Sequence, residues 1–454
     1  MHDELPQSGL RLYWERLRGL SAAARWYLLH AAMLTGALGL SALFYNLTID
    51  ALGYQRIFLG NLETVSRVAA LLLLLPLWWL VHRVGLRQAL MLSAGLHAFS
   101  ALSVAIWPAA APLLLASAAT GPAAVLFQVS AAPLMMAHSS AAERDHLFSL
   151  NAALNIGVAG AGKWLGSTLP GLLALPLGAP ADSAAAYRAT FAVVGLVLLG
   201  SLLPLLRVPA RPPQPAADAE QAAEPAEPTG APAVSRFSGL LVQLIAPLSR
   251  RLREPWRSVA ADPLPLLLLL LPPLLISCGA ALLIPYLNIF LSEHYDAANT
   301  DLGFILAAGD IAAGLAMLAA PLLSARLGKI GAIVLTQLLS IPFLLLSGFA
   351  PGLLIAGGAL VMRFGLFNLG VPLYDAFAME RSPPAARPIV IGLVNGAYAA
   401  GYLLAPAIST RVQQFYGFAP LFVATASFYG LAALLMFAFF GRGRGEAEQV
   451  AEKG

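Results

Sequence analysis

Apolar runs of twenty residues or so, separated by short polar or Gly/Pro-bearing stretches, occupy nearly the whole chain. A helix needs about 20 mainly apolar residues to cross a bilayer. That measure places spans at 26–49, 56–81, 88–107, 111–137, 147–174 and 189–206. They resume at 263–291, 302–324, 331–349, 352–379, 389–410 and 417–440. Several exceed the minimum, which permits tilt without setting an angle. The expected fold is all-α and polytopic, with twelve transmembrane helices in two groups of six.

A change of composition parts the two groups. Residues 208–234, VPARPPQPAADAEQAAEPAEPTGAPAV, are rich in Pro, Ala and Glu and offer no apolar face, which predicts a disordered tether. Residues 235–257 then combine an apolar stripe with Arg250, Arg251, Arg253 and Arg257. This fits a helix lying on an anionic membrane surface. A solvated linker with some helical content fits equally well.

The groups also repeat. HRVGLR follows the second span with Arg83 and Gly85, and ARLGKI follows the eighth with Arg326 and Gly328, 243 positions later. Asn151 and Gly157 of the fifth span match Asn395 and Gly401 of the eleventh at a spacing of 244, and FYNL in the first span is echoed by PYLN in the seventh. Parallel six-span repeats about an axis normal to the membrane are a transporter architecture, with the site between the halves near the midplane.

Charge sets the orientation. The 454 residues are 59% hydrophobic and 11% charged, with a mean hydropathy of +0.76, against about 25% charged in an ordinary soluble domain. With the N-terminus in the cytoplasm, 21 of the 27 Lys and Arg lie on the cytoplasmic side; Arg56, Arg188 and Arg411 lie outside, and Arg67, Lys163 and Arg363 lie within spans. The opposite orientation inverts that bias. The expected units are a cytoplasmic N-terminal segment 1–25, a six-helix bundle 26–207, a cytoplasmic linker 208–261, a second bundle 262–440 and a cytoplasmic tail 441–454. The polar N-terminus, with Arg11, Arg16, Arg18 and Arg25, lacks the form of a secretory signal. Scarce lysine and abundant alanine fit a GC-rich bacterial genome, hence a bacterial cytoplasmic membrane.

Cys278 is the only cysteine, so neither an intrachain disulfide nor a thiolate metal site is expected. There is no His-Glu-x-x-His, Walker-type loop or Gly-x-Ser-x-Gly elbow. No enzymatic activity, cofactor, metal or nucleic-acid partner is expected, and ATP is not the energy source within this chain.

Ionisable groups inside a membrane usually face the bundle interior and pair. Here they are Glu63, Arg67, Lys163, Asp310 and Arg363. Glu63 and Arg67 stand four apart on one helix face and can neutralise each other, as a structural pair or as a substrate site. Arg363, near mid-depth, is suited to hold a carboxylate or phosphate; it could equally be structural, bonded to carbonyls of Ala356–Gly358 or to a neighbouring acid. Tyr45, Asn46, Gln128, Asn155, Tyr286, Asn288, Asn368, Asn395 and Tyr398 are uncharged candidates, many of them expected to bond helix to helix. His97 and the Gly162-x-x-x-Gly166 pair read as packing.

Over essentially its full length the chain resembles the major facilitator superfamily. That family's signature after the second span is Gly-x-x-x-Asp-Arg-x-Gly-Arg-Arg/Lys. Arg83, Gly85 and Arg87 fit it, with Trp78, His82 and Leu86 as departures; the second copy keeps Arg326, Gly328 and Lys329, with Pro321 and Ala325 departing. The resemblance implies two pseudo-symmetric six-helix bundles and gating loops at these motifs. Asp375 and Glu380 resemble the acidic partner the family places near the loop, and with His82 and Ala325 in the Asp positions the latch is weakened or built differently. The fifth span lacks the Gly-Pro of export members, so antiport does not follow. In that family the fifth and eighth helices face each other, which makes Lys163 and Asp310 candidates for a pair closing the outer side; the alternative is a Lys163 that snorkels or bonds local carbonyls.

The function implied is a secondary transporter moving a small solute by alternating access, as a monomer in the lipid bilayer. Coupling to protons through Glu63 or Asp310 fits, and uncoupled facilitation fits equally well. The rival is a non-transporting membrane sensor or scaffold on the same fold.

Overall fold

The computed structural model describes residues 20–139, 141–209, 263–383 and 386–441. Most of the N-terminal segment, the Pro/Ala/Glu tether, the amphipathic stretch 235–257 and the C-terminal tail lie outside the described residues. Everything described is helix or short connection.

Ten of these helices are long and apolar enough to cross a membrane, so this is a multi-pass membrane protein. One of them, Asn299–Phe349, is two spans: its backbone breaks at Gly328, with φ 71° and ψ 163°. Gly85, between Arg56–Val84 and Leu86–Ile106, has nearly the same conformation, φ 89° and ψ 162°. That left-handed region favours glycine, which is why each repeat carries glycine there. Counting the two legs separately gives eleven such spans among the described residues; the helix at the place of the expected fifth span, Ala141–Gly166, is not one of them.

Three spans expected to be continuous are interrupted. The fifth stops at Gly166 and resumes as Leu169–Leu177, the sixth is Ala184–Gly200 followed by Leu202–Leu206, and the seventh is Pro263–Leu283, a 3-10 turn at Ile284–Tyr286, then Leu287–Tyr295. Each break lies within four residues before a proline or at one: Pro170, Pro204 and Pro285. Proline lacks an N–H and crowds the carbonyl four residues earlier. Length and hydropathy carry no trace of this.

The packing repeats as the sequence does. The first span packs on the fifth and sixth, the second and third on the fourth, and the third on the sixth; correspondingly the seventh packs on the eleventh and twelfth, the eighth and ninth on the tenth, and the ninth on the twelfth. Glycines let the first and fifth spans meet closely, since a methyl at Gly162 would collide with the backbone of Gly36 and one at Gly166 with Leu40.

The apolar core is joined at one end and divided at the other. At the end bearing the connections near 52–55 and 296–298, called here the far end, a single cluster runs from Leu43, Phe44 and Leu59 to Leu283, Phe290 and Phe422, across both halves. Towards the other end, where the linker attaches, one cluster holds Ala24, Leu134 and Leu205 and another holds Leu269, Phe377 and Phe440, each within its own half. Residues 71–76 of the second span are exposed all round. The molecule is a pair of bundles closed at the far end and splayed at the linker end.

Candidate functional site

The far-end closure is built on a pseudo-two-fold axis. Asn46 Nδ2 donates to the Pro285 carbonyl at 2.5 Å, and Asn288 Nδ2 donates to the Leu43 carbonyl at 2.7 Å. Both donors and both acceptors are 242 positions apart, so the two bonds are one contact made twice. Asn46 Nδ2 also lies 3.3 Å from Asn288 Oδ1. On either side, Gly60 of the second span sits against Thr410 of the eleventh, and Gly303 of the eighth against Ser167 of the fifth. These partners are again related by 243. Arg56 adds a clasp, pairing with Glu293 of the other half and, at 3.3 Å, with Asp50.

Below this seal lies a polar layer. Lys163 Nζ donates to Asp310 Oδ2 at 2.6 Å. The lysine neither snorkels nor turns to local carbonyls, and the fifth and eighth spans are joined at this depth. Arg67 holds the position in the second span that Asp310 holds in the eighth. It lies 3.7 Å from Glu63 and 5.5 Å from the ring centroid of Tyr402 in the eleventh span. Glu63 and Arg67 are 26% and 49% exposed. Tyr45 and Tyr286 stand within electrostatic reach of Glu63, and the fully buried Tyr286 hydroxyl has no hydrogen-bond partner.

Arg363 departs from both structural alternatives read from the sequence. It is 2% exposed, and its partners are neither carbonyls nor an acid. Nη2 donates to the Tyr429 hydroxyl at 2.5 Å, and the guanidinium lies 4.7–5.5 Å from the ring centroids of Phe364, Phe367 and Tyr429. A guanidinium is planar and weakly hydrated, so aromatic faces can take the place of an anion. Its Nε is buried without a partner.

The remaining candidates divide. Asn155 accepts from Thr35 at 2.9 Å and Asn368 donates to its own helix at Phe364, so both are helix-to-helix or local bonds. Tyr398 is exposed beside Tyr402, with ring centroids 5.8 Å apart; Gln128 and Asn395 are also exposed. His97 is buried, with Nδ1 3.0 Å from the Ser93 carbonyl of its own helix. At the linker end Arg83 lies 4.6 Å from the Trp79 ring centroid, Arg87 donates to the Val208 carbonyl at 2.9 Å, and Lys329 pairs with Glu380. Arg326 is exposed and Asp375 half-buried. In the second half, then, the acid next to the motif is Glu380.

Sequence reasoning missed Tyr402, Tyr429 and the Arg56–Glu293 clasp. The 243-residue offset joining Gly60 to Gly303 and Thr410 to Ser167 was the signal that could have located the closure.

Residues 273–454 match the sequence model of the Major Facilitator Superfamily. The chain is also similar in structure to a bacterial homologue of the human lysosomal transporter Spinster in an inward-facing, occupied conformation, at 14% identity, TM-score 0.68, and 92% of this chain against 95% of that one. The chain has the major facilitator fold. The resemblance read from its two loop motifs holds in both the sequence of the C-terminal part and the architecture of the whole. Two further major facilitator structures align similarly. The nucleoside transporter NupG does so at 13% identity and TM-score 0.61, covering 93% of this chain and 99% of that one. A D-xylose–proton symporter does so at 14% identity and TM-score 0.64, covering 92% and 96%. No curated protein matches the sequence.

Proposed function

We propose that the protein is a secondary transporter that moves a small solute by alternating access, with a single chain forming the whole pathway. One observation carries this reading: the apolar core is shared by the halves at the far end and divided at the linker end. Between these regions lies a layer of charged and polar groups that is sealed from one side and open to the other. Such a layer is what rocking two halves about a central site requires.

The linker end is the cytoplasmic one on the Lys/Arg distribution, which puts both termini inside and makes the described state inward-open. The units are the two bundles 26–207 and 262–440, joined by the linker 208–261. Of the two acids deep in the spans, Glu63 and Asp310, which are 26% and 27% exposed, Asp310 is held by Lys163 at 2.6 Å and Glu63 only by the looser 3.7 Å approach of Arg67; a proton gradient would couple through the less firmly held Glu63.

The test needs no knowledge of the solute. Spin labels at Val84 and Ala325 report on the linker end, and labels at Ala51 and Ala298 on the far end, all in a Cys278→Ser background. In nanodiscs the two pairs should show two distance populations each, exchanging reciprocally. A single fixed distance at both ends, unmoved by solute mixtures or pH, would reject transport in favour of a static scaffold.

A further inference from the structure

The polar layer has a surplus charge. Five charged side chains stand inside the spans away from both ends: the acids Glu63 and Asp310, and the cations Arg67, Lys163 and Arg363. Lys163 cancels Asp310 and Arg67 is matched by Glu63. Arg363 has no counterpart; among the described residues it meets a tyrosine hydroxyl and three rings. A buried cation without an anion keeps its field, since low dielectric screens it poorly. A concave site with net positive charge concentrates anions.

The surplus lies next to a place where an anion can dock. Of the two guanidiniums in the layer Arg67 is the exposed one, at 49% against 2% for Arg363, and its single 3.7 Å approach to Glu63 leaves most of its donor fork free. Its neighbour Tyr402 is also within electrostatic reach of Arg363. Tyr398, 39% exposed one turn away, extends the aromatic wall towards the opening. Rings of this kind take a flat group edge-on or offset-stacked.

We propose that the transported solute is a small organic monoanion with a planar ring, its carboxylate docked on Arg67 and its ring along Tyr398 and Tyr402, drawn in by the unbalanced charge of Arg363. Loading brings the layer from one net positive charge to neutrality, whereas a neutral solute leaves the surplus and a cation doubles it. The inference rests on the transport reading for its setting and is separable from it in the test.

The full-length protein in nanodiscs is titrated with benzoate, nicotinate and phenylacetate and with their uncharged counterparts benzamide, nicotinamide and phenylacetamide at matched ionic strength. Binding is read calorimetrically and by thermal shift. At least one acid should bind, and its amide at least tenfold more weakly. Arg67→Gln should abolish the preference with little change in melting temperature, because this side chain is half-exposed. Arg363→Gln should weaken it and Arg363→Lys should keep it, since the charge rather than the fork acts at that distance. If Arg363→Gln does not fold, the Arg67→Gln result still decides. Amides binding as tightly as acids, no acid binding at all, or an unchanged preference in Arg67→Gln would each overturn the proposal. Acid binding without uptake into liposomes would leave the anion site standing and sink transport; uptake of neutral solutes alone would do the reverse.

Discussion

Lys163 and Asp310 lie 2.6 Å apart across the boundary between halves, 19% and 27% exposed. Desolvation offsets much of their attraction, so the pair suits a contact that must open and close better than a permanent one. Lys163→Asp and Asp310→Lys should each lower transport roughly tenfold, matching about 1.4 kcal/mol of lost closed-state bias, and the double exchange should recover part of it. Additive damage in liposome uptake would show that the two do not act together. Arg363 behaves differently because rings, not a carboxylate, surround it. Arg363→Lys keeps the charge but gives up the flat face and its bond to Tyr429, so thermal unfolding should reveal a loss of about 1–2 kcal/mol. An unchanged melting temperature would mean that the rings contribute nothing to holding this charge.

At the scale of single helices, small residues decide where the halves can touch. A side chain at Gly303 would strike Ser167 and the Lys163 carbonyl, whereas Gly396 has open space around it. Gly303→Leu should therefore hold the far end apart, and Gly396→Ala should not. In a Cys278→Ser background a cysteine at Thr410, buried against Gly60 in the parent, should then react with a membrane-impermeant maleimide only in the Gly303→Leu protein. Equal protection in all three would remove Gly303 from the seal. The spans themselves were legible in the sequence because twenty apolar residues have few alternatives to a membrane helix. Their interruptions were less so: Pro285 breaks the seventh span, yet Pro76 and Pro406 sit inside unbroken helices, and only the surrounding contacts distinguish these cases. Among site residues, the Lys163–Asp310 pair could be named because charges in lipid are scarce and need partners. The aromatic cage around Arg363 could not, since Phe367 and Tyr429 are ordinary apolar positions until the tenth and twelfth spans are brought together.

Across the whole molecule, the far-end core shared by both bundles outweighs the covalent tether between them. Proteolysis within 210–232 should leave two fragments that co-purify in mild detergent and still unfold together; separation of the fragments would show that the linker, not the shared core, keeps the halves joined. The reciprocal Asn46–Pro285 and Asn288–Leu43 bonds have one further consequence. A contact in which each side presents the same donor and acceptor is isologous, the geometry of a two-fold homodimer. The first bundle carries both members itself, Asn46 as donor and the Leu43 carbonyl as acceptor. Residues 1–207 expressed alone should consequently self-associate head to head, with Asn46 of each copy reaching Leu43 of the other. Added second bundle should dissolve that dimer by competing for the same atoms. Mass photometry of the isolated half, with and without Asn46→Leu, measures how far this one contact can hold two copies together.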